Sequence, residues 1–563
     1  MTAMKKIVYR IFVTALVPVL ACSCLQNLNT VPLDTTTTPA NDAYANPNSY
    51  LAGLAYINAY YNFVSAGDPG ASDLDFSDAG QSELIRQWTN LNELSVDSFK
   101  CTWGDDYVTD IQYDKWTTAD NAALVAVYTR CMKGVTLVNE YLAQTTPELI
   151  AQRGQESIAA TVAQYRAEAR FHRAMFYWML MDCYGNPPFA TYENIANGTL
   201  PKQLGRAGLY EWLVGELEEL AESDDMPERG EVPYPRATKG SVMALLAEIY
   251  LNAAVYTATD DAAGTPEWQK AKDAAAEVIS MGYSLEPKYE NLWKQDNTTN
   301  GAAEKEFIFA VDYDKDHAQS WGGTTTLASA FMSADVNQRL ADLLGTGGSG
   351  IIPENWNGYH VSNEYVSYFG LNNVDWSGKG FGYDRETSDK RAFFINEGIK
   401  EFDKADVSSG WRCWKFSGLY TDGHVNDASV DNYKFSSMDY PIFRLAEMYL
   451  IYAEADARLN GGEVVDPVAV GYVKALRDRA GVDMPDTIDL DFLLAERARE
   501  LMLEGHRRTD LIRYGYFTSM QFPWPYKAGV KNGKATIPVH MQVYPIILSD
   551  RTANITLVQN AGY

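Results

Sequence analysis

Two stretches of like pattern, TKGSVMALLAEIYLNA (Thr238–Ala253) and YPIFRLAEMYLIYAEADARLNG (Tyr440–Gly461), stand about 200 residues apart in the chain. Each sets Ala, Leu and Tyr at helical spacing, which predicts a helix with small residues on its contact face. Such helices do not stand alone. Small side chains let a neighbouring helix approach closely, and the tyrosines fill the grooves between. Further segments carry the same period: Asn121–Leu142, Ile158–Cys183, LYEWLVGELEELAESDD, EWQKAKDAAAEVISMG, Pro467–Ala480 and Asp489–Tyr514. The second stops at YGNPPF, where Gly185 and the Pro187–Pro188 pair forbid continuation. Thr238, after the turn-forming GEVPYPRA, is placed to cap the helix that follows it.

Helix–turn–helix units of this composition predict a mostly α fold. It is a tetratricopeptide-like solenoid of about four helix pairs, too irregular in period for a strict repeat array. Between residues 301 and 439 the period fades, and Gly, Asn, Asp and Trp dominate in SWGGTTT, GTGGSGIIPENWNGYH, WSGKGFGYD and WRCWKFSGLY. That span reads as a large loop-rich insertion with short strands, mounted on a scaffold of about 41–300 and 440–520. A second loop region of the same character covers about 66–116. Irregular segments on a rigid frame are where binding residues concentrate. The aromatic content of 12% is led by 36 tyrosines and 13 tryptophans, side chains that offer a flat apolar face with a polar edge.

The formal charge of −27 argues against nucleic acid as a partner, because binding it requires a basic footprint. The first residues, MTAMKKIVYRIFVTALVPVLACSC, have a basic start, a short apolar run and then small residues with cysteine. This is the pattern of an export signal over residues 1–23, too short in its apolar part to span a bilayer. The cysteines suggest a bacterial lipoprotein, with Cys24 or Cys22 as the acylated residue; plain secretion is the alternative. A Thr- and Pro-rich tether over 24–40 follows, and the single folded domain is expected over 41–563. The remaining cysteines, Cys101, Cys131, Cys183 and Cys413, match no zinc spacing and read as buried apolar residues.

In AERARELMLEGHRRTDLIRYG, the residues Glu496, Arg499, Glu500, Glu504, Arg507 and Asp510 fall at helical spacings, which favours ion pairs within and between helices over catalysis. His506 has no His or Cys near it in sequence and is assigned neither as a ligand nor as a base. The acid-rich DDYVTDIQYD and DYDKDH raise the question of a glycosidase carboxylate pair, with solvated loop as the default. No organic cofactor motif occurs. A structural calcium is conceivable at the oxygen-rich Lys294–Asn300 beside Asp439, although the spacing is not that of an EF-hand.

Five stretches in register, AEARFHRAMFYWMLMDCYGNPPF, PRATKGSVMALLAEIYLNA, YPIFRLAEMYLIYAEA, ERARELMLEGHRRTDLIRYG and the terminal QNAGY, resemble the SusD/RagB family of outer-membrane glycan-binding lipoproteins. CLQNLNTVP from Cys24 resembles the start of the mature family chain, which favours Cys24 over Cys22. The resemblance implies four tetratricopeptide-like pairs supporting an irregular ligand-binding half. It also implies a SusC-like TonB-dependent transporter as partner, a lipid-anchored place at the outer membrane, and no catalysis. Within the family the loops look closest to starch binders. That likeness implies an aromatic arc of Trp103, Trp321 and Trp356, with Asp78 and Arg86 bonding sugar hydroxyls. Asp106 stands where those binders typically use an amide. The expected ligand is an α-glucan such as starch or maltooligosaccharide; a surface endo-glycanase and a peptide- or protein-binding scaffold are the competing readings.

Overall fold

In the computed structural model, residues 40–563 are described, apart from 66–68, 75, 77–78, 260–261, 347–353, 372–380, 383–386, 398–409, 427–430 and 535. The expected signal and most of the tether therefore lie outside the described residues. The chain is mostly helical. After α1 (Asn48–Ala59) and the short α2 (Leu84–Thr89), the scaffold runs through α3 (Ala122–Gln144), α4 (Ala159–Tyr184), α5 (Arg206–Glu222), α6 (Lys239–Leu251) and α7 (Trp268–Ser280). A short α8 (Gly323–Ala330) lies in the insertion, and the scaffold resumes with α9 (Leu445–Leu459), α10 (Pro467–Ala480), α11 (Leu490–Glu500) and α12 (Arg507–Arg513).

The ends of these helices follow local chemistry. Asn121 Oδ1 accepts from the backbone of Ala123 and Leu124, Asp466 caps α10 ahead of Pro467, and Asp489 caps α11. Helix α4 stops at Gly185, whose φ of 69° suits a residue without Cβ. The helices pair in order, α3 with α4, α5 with α6 and α7 with α9, and α9 in turn packs against both α10 and α11. The third pair is closed by a helix from beyond the insertion. Helix α7 is flanked by α6 on one side and α9 on the other, so the two look-alike helices of the sequence embrace a common neighbour. Ala271, Ala274 and Ala275 make that close approach possible, all buried. Cys101, Cys131, Cys183 and Cys413 are free and buried, as expected of small apolar residues. Among the described residues no helix is long and apolar enough to cross a membrane.

Two helical expectations need correction. Tyr440–Arg444, read as the start of a helix, is a β-strand that pairs antiparallel with Phe307–Val311. Pro441 and the apolar run around it suit an extended chain buried on both faces, and this two-stranded ribbon returns the start of the insertion to the scaffold. Asp489–Tyr514, read as one helix, is two. The chain turns sharply between α11 and α12, with Leu503 at φ 63° and Gly505 at φ 83°. The charges of this segment consequently meet across elements. Arg391, from the insertion, bonds Glu496 at 2.8 Å and Glu500 at 3.0 Å, and Arg444 bonds Glu504, Glu500 and Glu306 at 2.6, 2.7 and 3.0 Å. All of these side chains are buried.

Burial alone would push the Glu496 carboxyl up, but Arg391 and Arg499 reverse this and hold it down to about 2. A folded-state value below the unfolded one means the contribution to stability is full above about pH 4.5 and is lost as pH falls toward 2. The melting temperature should therefore drop between pH 4.5 and 2, and Arg391→Met should flatten that part of the curve. A profile equally steep in the variant would refute the assignment.

The insertion is organised by a five-stranded antiparallel sheet. Its strands, in spatial order, are Phe99–Cys101, Tyr359–Val361, Trp411–Cys413, Phe394–Glu397 and Phe381–Gly382. The first comes from the early loop region and the rest from the later one. The register pairs Cys101 with Tyr359 and Phe99 with Val361, so segments about 260 residues apart are joined by backbone hydrogen bonds.

Candidate functional site

That strand pairing places the first tryptophan. Past Cys101 the ladder continues as Thr102 N donates to Gly358 O at 2.8 Å, and the indole of Trp103 lies directly on Gly358. Trp103 Nε1 donates to the carbonyl of Trp356 at 3.3 Å. The Trp356 loop is in turn stapled across the end of α8: Trp356 N bonds Ser329 O (3.1 Å), Asn357 N bonds Met332 O (2.9 Å) and Gly358 N bonds Ala330 O (2.7 Å). Asn357, at φ 53°, accepts from buried Arg412 at 2.5 Å. Trp321 sits just before the start of the same α8. One short helix thus sets the spacing of two tryptophans, and one strand pair sets the third.

The three rings adjoin. Centroids of Trp103 and Trp356 are 6.4 Å apart at 54°, and those of Trp356 and Trp321 are 6.1 Å apart at 43°. Phe435 backs Trp321 at 4.6 Å. All three indoles are half-buried, with Trp356 in the centre. Successive planes tilted by this much do not make a flat platform.

Beneath the rings lies Arg86, 6% exposed, its guanidinium carbon 5.9 Å from the Trp103 centroid and 5.8 Å from that of Trp356. A cation so placed supports both rings electrostatically and keeps only an edge for a ligand. Arg86 is fixed by α2, whose N-cap is the buried Glu83. That carboxylate accepts from Arg86 N at 2.5 Å, from Gly323 N at 3.0 Å and from the Tyr313 hydroxyl. Glu83 therefore ties the helix of Arg86 to the loop of Trp321. Burial pushes its carboxyl up to about 7 against these donors.

Of the other expected residues, Asp78 lies outside the described residues. Asp106 opens the helix Asp106–Gln112, and its side chain is likewise outside the description. The loop Lys294–Asn300 does lie against Asp439, yet its groups bond one another there: Thr298 Oγ1 and Tyr234 Oη donate to Asp439 Oδ2, and Asn297 pairs with the Asp439 backbone. In the acid-rich loops Asp314 binds His317 at 2.9 Å, and Asp114 accepts from Ala528 N at 3.2 Å.

Sequence reading did not single out Glu83, Phe435 or Gly358. The signal for the last was present as WNG, a tryptophan two residues before a glycine. A Cβ at 358 would stand 2.1 Å from Trp103 Cε2. Gly358→Ala must therefore displace the Trp103 ring. Binding at this surface is expected to fall at least tenfold, with a much smaller change in melting temperature, and unchanged Trp103 fluorescence and affinity would contradict the packing.

Comparison with known proteins agrees with this architecture. The model described as "SusD family" matches residues 305–563, and that described as "Starch-binding associating with outer membrane" matches residues 77–251. The "Starch-binding protein SusD" of Bacteroides thetaiotaomicron is 29% identical over 596 aligned positions, covering 99% of each chain. The "SusD-like protein P25" of Formosa agariphila is 26% identical and covers 69% of this chain and 72% of its own. Among solved structures, surface glycan-binding protein A of B. thetaiotaomicron in complex with laminarihexaose superposes with a TM-score of 0.64 at 19% identity, over 91% of this chain and 98% of that one. A SusD superfamily protein of Parabacteroides distasonis gives 0.62 at 21% identity, over 92% and 99%. With two such models across the helices and across the sheet that joins them, and a full-length relative in register, the chain belongs to the SusD family.

Proposed function

We propose that this protein is a non-enzymatic, lipid-anchored glycan-binding protein of the outer membrane that captures an α-glucan, such as starch or maltooligosaccharide, and delivers it to a SusC-like TonB-dependent transporter. The observation that carries the reading is the tilted set of Trp103, Trp356 and Trp321 over Arg86. Pyranose rings present apolar C–H faces and hydroxyl rims. Indoles cover the faces by dispersion and apolar burial, and charged groups at the edge bond the rim for about 1.5–3 kcal/mol each. A set of rings that turns from one to the next suits a chain that curves. The full-length relative named as starch-binding supports the same class of ligand. Outer-membrane association rests on the matching family description, and anchoring on Cys24 of the sequence.

Isothermal titration with maltoheptaose, laminarihexaose and cellohexaose tests the ligand. Heat with the first and none with the last is expected; silence with maltoheptaose at millimolar concentration would reject the α-glucan. Trp103→Ala and Trp321→Ala should each weaken binding roughly tenfold or more. Chain-length analysis of starch after prolonged incubation should find no shortening, and the appearance of short oligosaccharides would favour a glycanase instead.

A further inference from the structure

Far from the tryptophans in sequence, three scaffold elements bring together Glu248 of α6, Glu447 of α9 and His506 at the start of α12. Their ligating atoms all lie within 4.8 Å of one another, and all three residues are buried. Glu447 is 0% exposed, and among the described residues neither of its carboxylate oxygens meets a hydrogen-bond donor. Glu248 gives one oxygen to Asn252 Nδ2 at 2.8 Å and leaves the other without a donor. A buried carboxylate with bare oxygens is costly unless something else engages them.

The surrounding charges do not do so. Glu454 is taken by Arg513 and Arg458, Glu504 by Arg444 and Lys415, and Asp510 by Arg513 and Arg497. Arg497 uses its Nε on Asp510, and its terminal nitrogens make no hydrogen bond to either orphan glutamate. Glu248 and Glu447 are thus carboxylates that this lattice of ion pairs leaves over.

We propose that Glu248, Glu447 and His506 hold a divalent transition-metal ion, one imidazole nitrogen and two carboxylates, at the point where α6, α9 and the turn before α12 meet. The spacing of one ligand pair is already that of a bound ion, and the others, within 4.8 Å, need only a small inward closure. Ligands about 2.1 Å from a tetrahedral zinc stand about 3.4 Å apart, and His506 Nδ1 lies 3.5 Å from Glu447 Oε1. The turn that presents His506 is fixed before any ion arrives. Gly505 N donates to Glu93 at 3.0 Å, and Leu503 is held at φ 63°, a left-handed conformation that a leucine adopts only when its surroundings impose it. Mixed nitrogen and oxygen ligation suits zinc or manganese better than calcium, whose ligands are oxygens. Buried between the third and second helix pairs, the ion has a structural role: it clamps the half of the solenoid before the insertion to the half after it. The inference is independent of the glycan reading.

The test is metal analysis of the full chain produced in medium supplemented with zinc and manganese, then washed with EDTA. About one ion per chain is expected, with anomalous scattering at its absorption edge locating it between the three side chains. His506→Gln and Glu447→Gln should each lower the retained metal at least tenfold while leaving maltoheptaose affinity as it was. Less than a tenth of an ion per chain in the unaltered protein overturns the proposal, whether or not the variants fold. So does a metal content that both variants keep, or density in which water bridges Arg497 to Glu447.

Discussion

Trp356→Ala is expected to cause the largest loss of ligand binding of any single change in this protein. The other two indoles each adjoin it, at 6.4 and 6.1 Å, and Arg86 lies beneath it. Its removal takes away the central stacking face and one of the neighbours that hold the tilt of each flanking ring. An indole face against a sugar plus the lost support amounts to about 2–3 kcal/mol, or about 30- to 150-fold in Kd. Stability should change by less than the binding does, because the ring is only partly buried and its loop is anchored through backbone bonds to Ser329, Ala330 and Met332. Titration with maltoheptaose alongside a thermal melt measures both quantities. Affinity equal to that of the unaltered protein would remove the tryptophans from the binding surface.

The largest loss of stability is expected from Arg444→Met. Arg444 is buried where the ribbon strand Tyr440–Arg444 runs into α9, and its guanidinium bonds Glu306, Glu500 and Glu504 as well as the Glu500 carbonyl. Lys415 and Arg479 between them share all three of those carboxylates, and Arg391 shares Glu500, but none of these cations spans the three as Arg444 does. A methionine fills the volume and leaves three buried carboxylates short of one of the cations that balance them, which costs about 3–5 kcal/mol. The midpoint of urea denaturation should fall accordingly, and Arg444→Met combined with Glu504→Gln should recover part of the loss. A midpoint within error of the parent would mean the lattice is not what joins the insertion to the scaffold.

Why the pieces could be recognised but not assembled is clear from particular residues. Helix α10 is legible to the residue, because Asp466 and Pro467 begin it and Gly481 ends it, all local signals. Helices α3 and α4 are as plain, since 23 and 26 residues of one period outweigh any tertiary override. Tyr440–Arg444 reads as helix because its apolar residues join the period of α9; the partner strand that overrides this, Phe307–Val311, lies over a hundred residues upstream. The break between α11 and α12 is invisible for a similar reason. Leu503 at positive φ is tolerated only because Tyr440, Lys415 and Glu93 bond the turn from other elements.

The sequence by itself determined most of the helices, their order along the chain and the presence of two aromatic loop regions, because period, capping and composition act between residues close in the chain. Tertiary structure alone decided that Trp103, Trp356 and Trp321 meet, that Glu83 ties Arg86 to the Trp321 loop, and that Glu248, Glu447 and His506 converge. Each of those depends on a strand register, a helix crossing or a loop hydrogen bond whose partners are some 30 to 260 residues apart, and no local pattern encodes such a contact.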